Sequence, residues 1–267
     1  MSTPSAVVTA SPADDVSSML ITSGVLTIGS YTGYYPQEYP DPMTGKPIGF
    51  DMDLINAISQ RMRLKPYMVK DKFQLLVNDL QAKRFDVVIS AVSITPELQK
   101  QVDFIPYFRG GKSLLVPYGN PLHIHAMSDL CGHSVAVKKN SFEQEELQRI
   151  SSLCTLNQEK ALYVTVFSRY KDIVPMMQQK HVDAVYADVP ALDYIIKLHP
   201  LLFALGMPVI GATAEGIVVP KGDGTLFSAL QRALQAVQRD GTYRALIAHW
   251  GLYQGDITAP ANDTSGS

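Results

Sequence analysis

VLTIGSYTGYYPQEYPDPMTGKPIGFDMDLINAISQRMRLKPYMVKDKFQLLVNDLQAKRFDVVIS, residues 25–90, carries the rhythm that decides the fold. Val25–Gly29 is a short apolar run closed by glycine and predicts a strand. A loop rich in Tyr and Pro follows, from Tyr31 to Pro47. Asp51 is a candidate N-cap, and Leu54, Ile55, Ile58 and Met62 recur behind it at helical spacing. Pro66–Val69 predicts a second strand, Phe73, Leu76, Val77 and Leu80 a second helix face, and Asp86–Ser90 a third strand. Strands alternating with helices in this way predict an α/β fold, a parallel sheet covered by helices.

The pattern recurs downstream. Leu114–Pro117, Ser134–Val137, Leu162–Phe167 and Val182–Ala187 read as strands, with helices over Phe142–Ile150 and Asp172–Gln179 between them. LQAKRFDVVISA at residues 80–91 and MQQKHVDAVYAD at 177–188 resemble each other. Each leaves a helix through a basic pair and enters a strand through an aspartate, Asp86 or Asp183, as two lobes of similar topology would. After Gly216 comes a strand, Ile217–Pro220, then a helix with the apolar face Leu226, Leu230, Ala233, Leu234 and Val237. A break at Gly241 leads to a last helix with Leu246, Ile247 and Trp250. These final elements are expected to return to the first lobe. The expected organisation is a flexible tether over 1–19, lobe 1 over 20–109 plus 214–255, lobe 2 over 110–213, and a loose tail over 256–267. The two crossings fall near the glycines of Phe108–Lys112 and Ala212–Gly216, and a ligand cleft is expected between the lobes.

Composition narrows the function. The 267 residues are 46% hydrophobic and 18% charged, with a formal net charge of -2. That is globular, and it provides no basic field for nucleic acid, whose binding rests on neutralising phosphates. The most apolar stretch, Leu201–Pro220, is interrupted by Gly206, Pro208, Gly211, Glu215 and Gly216 and reads as buried strands, not a bilayer helix. No apolar signal core follows Met1. The Ser-, Thr-, Ala- and Pro-rich start suits a tether on a chain whose export signal has been removed. The two cysteines, Cys131 and Cys154, could form a disulfide or be separate core thiols; spacing leaves both open.

Catalytic signatures are missing: there is no GxSxG, P-loop, GxGxxG or HExxH. No Cys/His cluster suggests zinc, His123 and His125 read as polar surface, and no cofactor or metal is expected. Tyr31, Tyr34, Tyr35 and Tyr39 crowd the first loop. They either pack that loop on its lobe or form a stacking wall, since aromatic faces attract cations and apolar groups alike. Phe73 is a core residue or an aromatic facing the ligand. Asp188, at a strand-to-helix passage, is a capping residue or a carboxylate for an ammonium group.

From Gly24 to about Tyr253 the chain resembles the extracellular solute-binding proteins of family 3, the amino-acid-binding components of ABC transporters. The motifs that carry the likeness are VLTIGS with its Tyr-Pro loop, Gly49-Phe-Asp-Met-Asp-Leu54, Asp86-VVISAVSIT-Pro96-Glu97 with Val102-Asp-Phe104, Asp129-LCGHSVAV-Lys138, Val182-DAVYADVP-Ala191 and Gly241-Thr-Tyr243. The resemblance implies a two-lobed periplasmic-binding-protein fold of type II. Each lobe would be a mostly parallel sheet flanked by helices, joined by two hinge strands and closing on a ligand. It also implies a site: Tyr34 and Phe73 as aromatic walls beside Tyr31, Ser90 and Ser93 as polar contacts, Ser141 at a helix start receiving a carboxylate, and Asp188 pairing the ligand's ammonium. Cys131 and Cys154 resemble the pair bridged in a subset of the family.

One position departs. The family commonly reads Thr-x-x-Arg where this chain reads Thr95-Pro96-Glu97-Leu98. Leucine cannot make the charge-assisted bond, typically about 1.5–3 kcal/mol, that arginine makes to a ligand carboxylate. Either the ligand lacks that carboxylate or another cation supplies the contact. Lys138 and Lys139 are the nearest candidates, unless they are simply a solvated strand end. The expectation is a monomeric receptor that binds a small amine-bearing ligand and delivers it to ABC transporter membrane subunits. It would work in the periplasm or as a lipoprotein at the outer face of the cell membrane. The rival readings are an enzyme resembling cyclohexadienyl dehydratase, whose acidic substrate Leu98 disfavours, and a sensor domain.

Overall fold

The structure, a computed structural model, describes residues 16–259. The expectations for residues 1–15 and 260–267 lie outside the described residues. Along the chain run β1 (Val25–Ser30), β2 (Tyr39–Pro40), β3 (Pro47–Ile48), α1 (Phe50–Arg61) and β4 (Lys65–Lys70). A 3₁₀ turn at Phe73–Leu75 leads into α2 (Leu76–Gln81), then β5 (Val87–Val88), α3 (Pro96–Gln99) and β6 (Val102–Pro117). Next come β7 (Ser134–Lys138), α4 (Phe142–Leu156), β8 (Tyr163–Phe167), α5 (Ile173–Gln178), β9 (Ala184–Asp188) and α6 (Val189–Leu198). The chain ends with β10 (Phe203–Leu205), β11 (Ile210–Pro220), α7 (Gly224–Arg239) and α8 (Thr242–Trp250).

Two compact units result. One holds the chain up to Tyr107 with Glu215–Leu246; the other holds Phe108–Ala214 with the chain from Ile247 onward. In the first unit β1 lies between β4 and β5, parallel to both, and β11 adds antiparallel to β5 through Val218 and Val88. Leu76, Leu80, Phe85, Val88, Val92, Val102, Phe104 and Val218 form a core under α2. In the second unit β7 lies between β8 and β9, again parallel to both. β6 pairs antiparallel with β9, and β10 antiparallel with β6. Side chains alternate across β6, so Leu114 and Val116 enter one core with Val135, Val137, Leu147 and Cys154. Leu115 enters the other, with Ala136, Ile173, Val185 and Leu192. The sheets are therefore parallel at their centres and antiparallel where β6 and β11 join them.

The two similar segments have a shared physical basis. The Asp86 carboxylate accepts the Thr27 N–H at 2.8 Å, and the Asp86 N–H donates to the Thr27 carbonyl at 2.8 Å. Asp183 repeats both bonds with Ser134, each at 2.8 Å. Each aspartate thus clips the chain entering its own strand to the unit's central strand.

Three expectations are corrected. Asp51 is not the cap of α1: Gly49 is, and Asp51 lies fully buried in the first turn. Gly49 sits at φ 134°, where a Cβ would run into the Gln37 and Pro36 backbone, so only glycine lets the loop pass this closely. The tether does not extend to residue 19, because Val16 and Leu20 are buried and the Ile21 N–H donates to Asp86 at 2.9 Å. The closing segment belongs to the second unit from Ile247, not to the first. Trp250 packs 5.4 Å from the Tyr194 ring, the Gln254 N–H reaches Asp193 at 3.3 Å, and Gly255 leaves room for the Phe108 ring.

Candidate functional site

In the first unit, β1 delivers the chain into the tyrosine loop at Ser30. The Tyr31 N–H donates to the Ser90 hydroxyl at 3.1 Å, and that hydroxyl donates to Glu38 at 2.7 Å. Ser90 is buried and spends its hydroxyl on positioning the loop. Tyr34 and Glu38 exchange backbone bonds of 2.7 and 2.8 Å, which closes the loop. Tyr31 then folds over Gly33, where any Cβ would strike its ring, and meets Phe73 edge-on at 6.5 Å and 77°. Tyr31 is 41% exposed and Phe73 44%, so this pair presents aromatic surface to solvent, as a stacking site must. Ser93 is half-buried and bridges to Glu215 in β11. Leu98 is half-buried, packs on the core beneath α2, and lines a recess with Phe73 and Ser93.

Behind these residues lies a polar network that spacing did not reveal. Gln37 donates to Glu215 at 2.7 Å, and Tyr107 donates to Asp51 at 2.7 Å. The Ala91 N–H also donates to Asp51, at 3.2 Å. Asp51 thus holds the Ser90–Ser93 segment, with Ala91 at φ 48°. Burial raises the Asp51 carboxyl to about 6. Burial first, then the charge of Asp51, pushes Glu38 well above its ordinary value.

In the second unit the strand ends of β7 and β9 carry the polar groups. Asp188 closes β9 and precedes α6, yet makes no side-chain cap bond to that helix. Capping does not account for it. It sits opposite Lys112 in the β6–β9 register. Tyr170 lies close to it: burial, then Asp188, then Glu143 raise the phenol well above its usual range. Lys138 places its Nζ 5.0 Å over the Tyr170 ring, while Lys139 is exposed. Ser141 caps α4, its hydroxyl accepting the Gln144 N–H at 3.3 Å. Sequence reasoning missed Lys112, which bonds both Glu146 oxygens at 3.0 Å and lies 3.4 Å from Glu143. Burial opposes the Lys112 charge, but Glu146 and Glu143 outweigh it and hold the ammonium above its ordinary range. The Tyr186 hydroxyl completes the group by donating to Glu146 at 2.8 Å. Glu143 could have been noticed two residues past the expected helix start; Lys112 had no local signal.

The cysteines are joined, Sγ to Sγ at 2.04 Å, and tie the loop after Leu130 to α4 within the second unit.

Residues 26–253 match the sequence profile of the bacterial extracellular solute-binding proteins, family 3. The chain belongs to that family. Among its curated relatives, the L-cystine-binding protein TcyJ of Escherichia coli (strain K12) is 28% identical over 238 residues, 88% of this chain and 85% of the relative. The ABC transporter arginine-binding protein 1 of Escherichia coli (strain K12) is 25% identical over 208 residues, 76% of this chain and 81% of the relative. Among solved structures, an ancestral cationic amino acid solute binding protein, AncCDT-1, superposes with a TM-score of 0.75 at 26% identity, covering 90% of this chain and all of that one. Another structure of AncCDT-1, described as a precursor of cyclohexadienyl dehydratase, superposes at 0.62 and 26% identity, covering 91% of this chain and all of that one. The two-lobed periplasmic-binding-protein fold is shared with these structures. No helix among the described residues is long and apolar enough to cross a membrane. Family membership places the protein outside the cytoplasm.

Proposed function

We propose that the protein is the receptor of an ABC importer for a small ligand bearing a positively charged amine: an amino acid, an amino-acid derivative or a cationic amine. The observation that carries the ligand class is Asp188. It ends β9 at the passage into α6, beside the half-buried Tyr170, whose phenol also feels the charge of a second carboxylate, Glu143. A carboxylate held at a strand end among aromatic and acidic groups favours an ammonium partner. The relatives agree, since arginine, cystine and cationic amino acids all carry ammonium groups. Tyr31 and Phe73, with Tyr34 in the same loop, provide aromatic faces that attract a cation or an apolar stem. Ser93 and the start of α4 at Ser141 offer polar contacts, and Lys138 or Lys139 receives any negative group the ligand has. The receptor works as a monomer, free or lipid-anchored, and hands its ligand to the importer's membrane subunits.

A second reading, elimination on a cyclohexadienyl acid, is kept by the described precursor relationship of one solved structure. Leu98 opposes it, because that substrate is acidic and the arginine position is apolar. A thermal-shift screen of amino acids, their decarboxylated amines and neutral analogues tests the proposal. A true ligand at about 100 times its Kd adds about 2.7 kcal/mol of stability. Stabilisation only by compounds without an amine refutes an amine receptor. Turnover of a cyclohexadienyl acid establishes the second reading instead.

A further inference from the structure

Glu38 lies fully buried in the first unit, at the end of the loop that carries Tyr31 and Tyr34. Its Oε1 accepts the Ser90 hydroxyl at 2.7 Å, and that hydroxyl accepts the Tyr31 N–H at 3.1 Å. Its backbone closes the loop through the two bonds to Tyr34. The second carboxyl oxygen, Oε2, is buried and receives no donor among the described residues. The titratable groups that face Glu38 are Asp51 from α1, Tyr107 from β6 and Glu215 from β11, and none of these is a cation. Asp51 stands within hydrogen-bonding reach of Glu38. It already accepts the Tyr107 hydroxyl at 2.7 Å, the Ala91 N–H at 3.2 Å and the Gln37 amide at 3.5 Å. Two ionised carboxyls only accept, so a pair packed this closely away from water needs a proton on one member. Three neutral donors favour the charge on Asp51, and only one reaches Glu38. The proton therefore belongs on Glu38, where Oε2 has an acceptor waiting. Burial and the Asp51 charge act on Glu38 in the same direction.

We propose that Glu38 is a positioning residue: as a neutral acid it donates to Asp51 through Oε2, accepts from Ser90 through Oε1, and so ties the tyrosine loop to the Ser90–Ala91 backbone. Loss of the proton replaces the donor with a second dry charge beside Asp51, and the loop loosens. The unfolded chain releases this proton near the ordinary 4.5, and the folded protein holds it to higher pH. Stability from the tie is thus fully present below the ordinary value and is lost as pH rises through the folded transition. Order in the aromatic loop becomes a function of pH. The device is independent of the ligand's identity, since every group in it belongs to the first unit.

Carbon-13 NMR of the ligand-free protein, labelled at the glutamate carboxyls, tests the tie, with the Glu38 signal assigned by its loss in Glu38→Gln. Glu38 is expected to titrate well above the ordinary carboxylate range, and the Tyr31 and Tyr34 amide signals to move with the same midpoint. In Glu38→Gln the side-chain amide supplies the donor at every pH, so those backbone signals should stay constant over that range. Ser90→Ala removes the bond that favours the charged form and should shift the Glu38 midpoint upward. That shift also identifies the Glu38 signal should Glu38→Gln fail to fold. A Glu38 midpoint at the ordinary 4.5, loop amides that do not follow it, or amides that still titrate in Glu38→Gln overturn the assignment. A midpoint that Ser90→Ala leaves in place or lowers overturns it as well.

Discussion

Asp193→Asn should stabilise the protein most above neutral pH, with the gain shrinking steadily towards pH 4. Asp193 lies in α6, 8% exposed, and accepts a bond from the Gln254 N–H at 3.3 Å. Burial raises its carboxyl from the ordinary 3.8 to about 7, with the Gln254 bond opposing only part of that rise. The folded protein therefore holds this proton up to about pH 7, whereas the unfolded chain releases it near pH 4. The folded state binds more protons across that window, so the stability from this group is fully present below about pH 4 and is lost as pH rises through 7. At about 1.4 kcal/mol per pH unit, the ionised carboxylate costs the fold about 4 kcal/mol at pH 8. Asparagine cannot ionise and still offers an oxygen to Gln254. Melts of both proteins from pH 4.5 to 8.5 give the difference directly, because the contributions of Glu38 and Asp51 cancel. The variant should melt about 8–16 °C higher at pH 8 and only about 2–4 °C higher at pH 4.5. Parallel pH profiles, or a variant less stable at pH 8, refute the reasoning.

Other perturbations follow from the same geometry. Replacing both Cys131 and Cys154 by alanine opens a loop spanning 23 positions, and chain entropy puts the cost at about 3.4 kcal/mol; denaturant melts with and without reductant measure it. Free-thiol titration of the unfolded, unreduced protein should find no reactive thiol, and two per chain would refute the bridge. Gly49→Ala should cost several kcal/mol or abolish folding, because the new Cβ meets the Gln37 backbone and φ is 134°, whereas Gly45→Ala, with open space around it, should cost far less. Soluble yield and melting temperature separate the two.

Elements whose signal is local were legible in the sequence. The alternation of strands and helices over 25–90 and 134–188 predicted both sheets, and the paired aspartates Asp86 and Asp183 marked the repeat that their hydrogen bonds explain. Helix α7 announced itself through a clean apolar face. What spacing could not supply was the partner across the chain. Asp51 has the chemistry of a cap, and only the path of Gln37 past Gly49 turns it into a buried acid. Gln37 meets Glu215 across 178 positions, and Lys112 meets Glu146 across 34, so neither contact leaves a pattern in any window. The closing segment joins the second unit and not the first for the same reason. Its partners Asp193 and Tyr194 lie on α6, which itself reads as an ordinary buried helix. Phe73, Leu98 and Asp188 are proposed for the site on chemical type alone, which a sequence displays directly. The Ser90 hydroxyl, expected among the polar contacts, bonds the Tyr31 N–H and Glu38.

The most direct test of the account is calorimetric titration of the wild type and of Asp188→Asn with the tightest-binding amine of the thermal-shift screen. Removing one partner of a desolvated charge pair costs about 2–5 kcal/mol. Circular dichroism checks the fold of Asp188→Asn, which keeps the side chain's size and removes its charge. Its affinity should fall about 30-fold or more. Equal affinity of the two proteins for that amine would contradict the account.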